Sequence, residues 1–228
     1  MVEFLFLDMD DTILDFKKAE RVALEKTLSH QGITPTDEVC ELYSRINMKY
    51  WQMLERKELT REQVMTGRFE ELFRELNWNA DALDAAAHYM EYLGIGHYFL
   101  PGAYEALVEL SGKYKLYLAS NGTAKVQHGR LRSADMRHLF RDIFISEEMG
   151  ANKPAIEYFQ NCFARIPDFD PKKAMIVGDS LTSDILGGKN AGIATCWVNP
   201  KHKAPREDIV PDYQIEALHQ LAALLDTL

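Results

Sequence analysis

Phe4-Leu5-Phe6-Leu7-Asp8-Met9-Asp10-Asp11-Thr12 decides how the rest of the chain is read. Four apolar residues of core-strand character run without a break into three acids and a threonine. Similar short apolar runs recur at Leu116–Ala119, Ile143–Ile145, Ala174–Val177 and Ala194–Val198. Most are separated by helix-like segments. Strands that alternate with helices predict a parallel sheet, and strands covered on both faces read as continuous apolar stretches rather than alternating ones. Parallel strands all point the same way, so the residues just past their carboxyl ends collect along one edge, where ligands bind. The comparison that matters is therefore between strand ends.

Those ends are alike in chemistry. The first run ends in Asp8-Met9-Asp10-Asp11-Thr12, the second in Ser120-Asn121-Gly122, and the run Ala174–Val177 in Gly178-Asp179-Ser180, with Asp184 soon after. Gly150-Ala151-Asn152-Lys153-Pro154 follows Asp142-Ile143-Phe144-Ile145-Ser146 and puts a lysine at the expected start of the next helix, beside free N–H groups. Gathered acids resist ionisation unless a cation holds them, and hard carboxylate oxygens without His or Cys point to Mg2+, which keeps positions for water and a substrate phosphate. Lys153 and helix N-termini would then hold the remaining phosphoryl oxygens. Aspartates at i and i+2 at a strand end can address the same atom. Asp8 is placed to attack phosphorus while Asp10 donates a proton to the leaving group and later takes one from water.

Composition narrows the classes. The chain has 228 residues, 46% hydrophobic and 27% charged, which predicts a globular core domain with room for an insertion. A net charge of −9 speaks against a nucleic-acid polymer or an anionic membrane as partner, so positive charge for an anionic substrate has to be local. The three cysteines, Cys40, Cys162 and Cys196, are widely spaced and suggest neither a disulfide framework nor a zinc site. With no signal-like N-terminus and no apolar run of roughly 18 residues, a cytoplasmic location is expected.

Between about Phe16 and Tyr98 the pattern is amphipathic helix throughout, so residues 16–98 are expected to form an all-helical insertion, with 1–15 and 99–228 forming the core. A helix is expected at Ala103–Ser111, a short strand at Tyr213–Ile215 and a closing helix at Glu216–Leu225. Met48, Tyr50, Trp51, Met53, Phe69, Phe73 and Trp78 sit at helical spacing and read as core. His128, Arg130 and Arg132 read as a solvated helix face. Gly187-Gly188 reads as a point of close packing, since no phosphate-loop pattern surrounds it.

The four motifs in this order resemble the haloacid dehalogenase superfamily of phosphohydrolases: Asp8-Met9-Asp10-Asp11-Thr12, Ser120, Lys153, and Gly178-Asp179-Ser180-Leu181-Thr182-Ser183-Asp184. The resemblance covers the whole chain. It implies a Rossmann-like, doubly wound core with a helical cap inserted after the first strand. It also implies Mg2+ bound by the Asp8 and Asp179 side chains and the Asp10 carbonyl, phosphate contacts from Ser120, Asn121 and Lys153, and Asp184 in support behind them. Thr12-Ile13-Leu14-Asp15-Phe16, Ser146-Glu147-Glu148 and the segment from Asp184 to Asn199 are similar to the pyrimidine 5′-nucleotidase branch, which dephosphorylates nucleoside monophosphates. Asn152 departs from the small apolar residue expected there. A small phosphorylated substrate, a nucleotide for preference, is thus the expected partner. The alternatives are a phosphosugar phosphatase or mutase of the same superfamily, and a non-catalytic ligand-sensing or protein-binding module. Dehalogenase chemistry is disfavoured, because in the family it lacks the acid corresponding to Asp10.

Overall fold

The computed structural model describes residues 1–204 and 206–228. They divide into two compact units, one made of Met1–Phe16 with His97–Leu228 and the other of Lys17–Gly96. In chain order the elements are β1 (Phe4–Leu7), α1 (Phe16–His30), α2 (Asp37–Glu55), α3 (Arg61–Glu75), α4 (Ala82–Gly94), α5 (Ala103–Lys113), β2 (Lys115–Ser120), α6 (Ala124–Ser133), β3 (Asp142–Ile145), α7 (Ser146–Met149), α8 (Ile156–Phe163), β4 (Ala174–Gly178), α9 (Leu186–Ala191), β5 (Ala194–Val198), β6 (Tyr213–Ile215) and α10 (Leu221–Leu225).

In the first unit the strands form one sheet in the order β3-β2-β1-β4-β5-β6, each neighbouring pair parallel. This is the doubly wound Rossmann-like order, in which the chain winds outward in both directions from β1 and leaves a crevice where the direction reverses, between β1 and β4. Strand β1 is central: Leu7 sits opposite Leu118 on one side and Val177 on the other. Its alternate residues feed two cores. Leu5 and Leu7 join Leu107 and Leu110 of α5 and Leu221 of α10 on one face, while Phe4 and Phe6 join Tyr158 and Phe159 of α8 on the other. Coverage of both faces is why the strands are uniformly apolar.

Gly187 and Gly188 let α9 close on the sheet. A Cβ on Gly188 would stand 2.5 Å from Ile176 Cγ2 and 2.6 Å from Thr195 Cγ2, and one on Gly187 would stand 2.7 Å from Phe159 Cε2. These are stiff core side chains, so the close-packing account of the glycine pair holds.

The chain end differs from expectation. Only Leu221–Leu225 is α-helical, preceded by a 3-10 turn at Leu218–Gln220. The Glu216 N–H donates to Gln220 Oε1 at 2.7 Å, and that side-chain bond makes a turn where a continuous helix was expected.

The second unit is helical throughout its named elements. Thr36, Thr60 and Asp81 cap α2, α3 and α4, with Thr60 and Gln63 forming a reciprocal capping box. Its core centres on the rings of Tyr43, Phe69 and Tyr89, whose centroids lie 5.0 to 5.5 Å apart. Buried Arg68 stacks on Tyr89 and donates to Asn47 Oδ1 at 2.7 Å, while Asn47 Nδ2 donates to Glu20 Oε1 at 2.6 Å. Of the residues read as core here, Phe69 and Phe73 are buried, Tyr50, Trp51, Met53 and Trp78 are half-buried, and Met48 is exposed. Among the described residues no helix is long and apolar enough to cross a membrane.

Candidate active site

The turn that follows β1 is tight. Met9 O accepts from the N–H groups of Ile13 and Leu14, and the Asp11 N–H donates to Leu14 O at 2.8 Å. Asp11 takes the left-handed conformation that this turn needs (φ +53°), one that Asp tolerates better than most residues, and its Oδ1 accepts from Phe16 N–H. Asp8 is buried at the strand end, its N–H bonded to Val177 O of β4.

Lys153 is buried as well, only 1% exposed. Its ammonium donates to Asp8 Oδ1 at 2.7 Å, Asp184 Oδ1 at 2.6 Å and Ala119 O at 2.5 Å, which uses all three of its protons. The lysine does not start a helix: α8 begins three residues later at Ile156, because Pro154 holds the preceding residue out of helical geometry. Asn121 anchors that loop from the end of β2. Its Oδ1 accepts from Lys153 N–H at 2.8 Å, and its Nδ2 donates to Lys153 O at 2.9 Å and Ser183 Oγ at 3.2 Å.

Asp8, Asp179 and Asp184 each present a carboxylate oxygen within 4.8 Å of the other two. Asp184 Oδ2 is aimed by the Ser180 N–H at 3.1 Å, and a Cβ on Gly178 would stand 2.2 Å from that same oxygen. A glycine before Asp179 is therefore required for the cluster to close. Burial raises the carboxyl of Asp8 to about 7; Lys153 opposes the rise, and the charges of Asp184 and Asp10 add to it. Burial, followed by the charges of Asp8 and Asp184, raises Asp179 well above the ordinary carboxylate range. For Lys153 burial works against the charge, but Asp184 and Asp8 outweigh it and hold the amine above its usual value. Three carboxylates gathered with oxygen donors alone, Asp8 and Asp179 raised by burial, fit a hard divalent cation, which Asp8, Asp179 and Asp184 could hold.

Ser120 ends β2 and is 1% exposed. Its Oγ accepts from Gly122 N–H at 3.1 Å and from Gln127 Nε2 at 2.7 Å, which leaves its own proton to donate elsewhere. Gln127 Nε2 also donates to Asp10 Oδ2 at 2.8 Å, and Arg130 Nη1 donates to both Asp10 Oδ1 and Gln127 Oε1. This corrects the solvated-face reading of α6: Arg132 is exposed and His128 pairs with Glu148, but Arg130 is fully buried. Gln127, Arg130 and Leu131 share one helix face by their spacing. Buried Leu131 is the sequence signal that could have placed the two polar residues inside.

Residues 5–198 match the family model for haloacid dehalogenase-like hydrolases. The chain belongs to this hydrolase family. The hydrolase is 39% identical to the HAD-hydrolase YfnB of Bacillus subtilis (strain 168), over 97% of this chain and 94% of the relative. It is 35% identical to the pyrimidine 5′-nucleotidase PynA of Streptococcus pneumoniae, over 98% and 95%, and 32% identical to the pyrimidine 5′-nucleotidase YjjG of Escherichia coli, over 98% and 97%. A crystal structure of YfnB bound to magnesium superposes with a TM-score of 0.94, covering 99% of each chain.

Proposed function

We propose that this hydrolase is a Mg2+-dependent phosphomonoesterase that works through an aspartyl-phosphate on Asp8, with nucleoside 5′-monophosphates as its substrates. The observation that carries the reading is the buried triangle of Lys153, Asp8 and Asp184 beside Asp179, at the sheet's switch point. Pyrimidine bases are favoured because two relatives that align over nearly the whole chain are named pyrimidine 5′-nucleotidases.

Bound Mg2+ would supply positive charge to the transferring phosphoryl group. Lys153 favours the ionised form of Asp8 and holds it in place, and an Asp8 carboxylate oxygen attacks phosphorus. As the P–O bond to the leaving group breaks, Asp10 gives that oxygen its proton; Asp10 then takes a proton from the water that attacks the same phosphorus, releasing phosphate and restoring Asp8. The Ser120 hydroxyl donates to a phosphoryl oxygen. Asn121, with its amide committed to the Lys153 backbone, serves by placing the lysine. Lys17–Gly96 is assigned the role of substrate cap.

Gln127 and Arg130 act through Asp10, as positioning residues. Arg130→Lys keeps the charge but loses the planar fork, and is expected to lower kcat by about 10- to 100-fold with a smaller change in KM. Steady-state kinetics on one nucleotide check this; a rise in KM alone would assign Arg130 to substrate binding instead.

The pH dependence follows from Asp8. Between its ordinary value of 3.8 and about 7 the folded protein keeps a proton that the unfolded chain has lost. Stability of the metal-free protein is therefore expected to fall as pH rises through this window, with the loss complete above it. The upward shift of Asp179 acts in the same sense, whereas Lys153, raised above 10.5, contributes stability that is lost only in strong alkali. A cation takes the place of the proton, so Mg2+ should raise Tm more at pH 8 than at pH 5.5. Equal shifts at both pH values would contradict this.

Phosphate release from a panel of nucleotides and sugar phosphates, with and without Mg2+, tests the assignment itself. Pyrimidine nucleoside monophosphates should lead the panel. Preference for a hexose phosphate, or equal turnover without Mg2+, would overturn it.

A further inference from the structure

The helical unit carries a second group of metal-ligating side chains, different in chemistry from the aspartate cluster. His30 lies in the last turn of α1, and Asp84 and His88 lie one turn apart in α4. One ligand atom from each falls within 4.8 Å of the other two. The two imidazoles face each other with centroids 3.8 Å apart and a 33° tilt. His88 Nδ1 stands 3.1 Å from the Asp84 carbonyl oxygen and 3.3 Å from Asp84 Oδ1. Tetrahedral zinc, with bonds of about 2.0 to 2.1 Å, sets its ligand atoms roughly 3.4 Å apart. His88 Nδ1 and Asp84 Oδ1 stand at about that spacing, and one ligand atom of each of the three residues lies within 4.8 Å of the others.

The surroundings match what such a centre needs. Gln31 Nε2 donates to Asp84 Oδ2 at 3.0 Å and to Asp81 O at 2.8 Å, which orients the carboxylate from behind as second-layer partners of metal ligands do. Gln31 Oε1 is buried beside the cluster and has no hydrogen-bond donor among the described residues, and a metal-bound water is such a donor. Asp84 is further set by the Asp81 cap, whose Oδ1 accepts from Asp84 N–H at 3.0 Å.

We propose that His30, Asp84 and His88 form a binding site for Zn2+ or a similar late first-row divalent ion, with Gln31 orienting Asp84 and a fourth position left to water. Two imidazoles and one carboxylate select such an ion over Mg2+, which the oxygen-only cluster suits instead. The ion staples the C-terminal end of α1 to the N-terminal end of α4. All three ligands belong to the helical unit, so the site acts on the stability of that unit.

The test uses the full chain, stripped of metal and held in excess Mg2+ while Zn2+ is titrated calorimetrically. One Zn2+ per chain should bind, the imidazole NMR signals of His30 and His88 should shift together, and Tm should rise. His30→Ala and His88→Ala should each weaken binding at least 10-fold, Gln31→Ala by about 10-fold, and the two histidine variants should abolish the Tm rise. His30 is exposed, so its replacement leaves the folded unit intact and by itself keeps the test decisive. Unshifted histidine signals, or equal Zn2+ affinity in the wild type and His30→Ala, would show the pair to be a packing contact and overturn the site.

Discussion

Asp8→Asn is expected to lower phosphate release by at least about three orders of magnitude while leaving the fold in place. Asparagine keeps the shape and one oxygen acceptor but offers no carboxylate to attack phosphorus, and losing a nucleophile removes a step that no neighbour can supply. Stability should not suffer. The cluster sets three carboxylates against the Lys153 ammonium, so removing one negative charge from a buried place improves the balance, and Lys153 retains Asp184 and Ala119 O. Phosphate release on a generic aryl phosphate, together with a melting curve, checks both halves. Activity above a few per cent of wild type would refute the nucleophile assignment. Lost activity with an unfolded protein would refute the charge argument.

Lys153→Met should act in the opposite way, through the fold first. Methionine has nearly the same length and fills the same space, but it leaves the buried carboxylates of Asp8 and Asp184 facing each other with their shared cation gone. Breaking a buried ion pair by removing one member typically costs about 3–5 kcal/mol. That loss is expected at pH 8 without metal, measured by urea unfolding. At pH 5.5 it should shrink, because Asp8, already raised to about 7, can take up a proton and stop repelling its neighbour. Added Mg2+ should recover part of the loss at pH 8 for the same electrostatic reason. A cost below about 1 kcal/mol at pH 8, or one that does not change with pH, would mean that the ammonium contributes little to holding the acids together. Turnover should also fall by about 100-fold or more, through loss of the charge that favours the ionised form of Asp8.

The apolar strand runs were legible because a strand buried on both faces has little freedom of composition, and β1, β4 and β5 lie within a residue of where those runs placed them. The helical character of the segment between Phe16 and Tyr98 was legible for a related reason, since amphipathic period survives without knowledge of the partner helix. Gln127 and Arg130 were legible only through Leu131, the apolar residue on their helix face, and their partner was not legible at all. A polar residue inside a helix looks the same whether it faces water or a buried carboxylate, and only the nearby turn after β1 makes the inner face of α6 a place for an arginine.

What the sequence by itself determined is the strand pattern and the small, acidic or basic residues at the strand ends, because both follow from local periodicity and burial. What only the tertiary structure decided is who pairs with whom. Lys153 finds Asp8 across 145 residues and Asp184 across 31, and the α1–α4 histidine pair is separated by two further helices. Coulomb and hydrogen-bond partners are set by distances in space, and no periodicity along the chain encodes those distances.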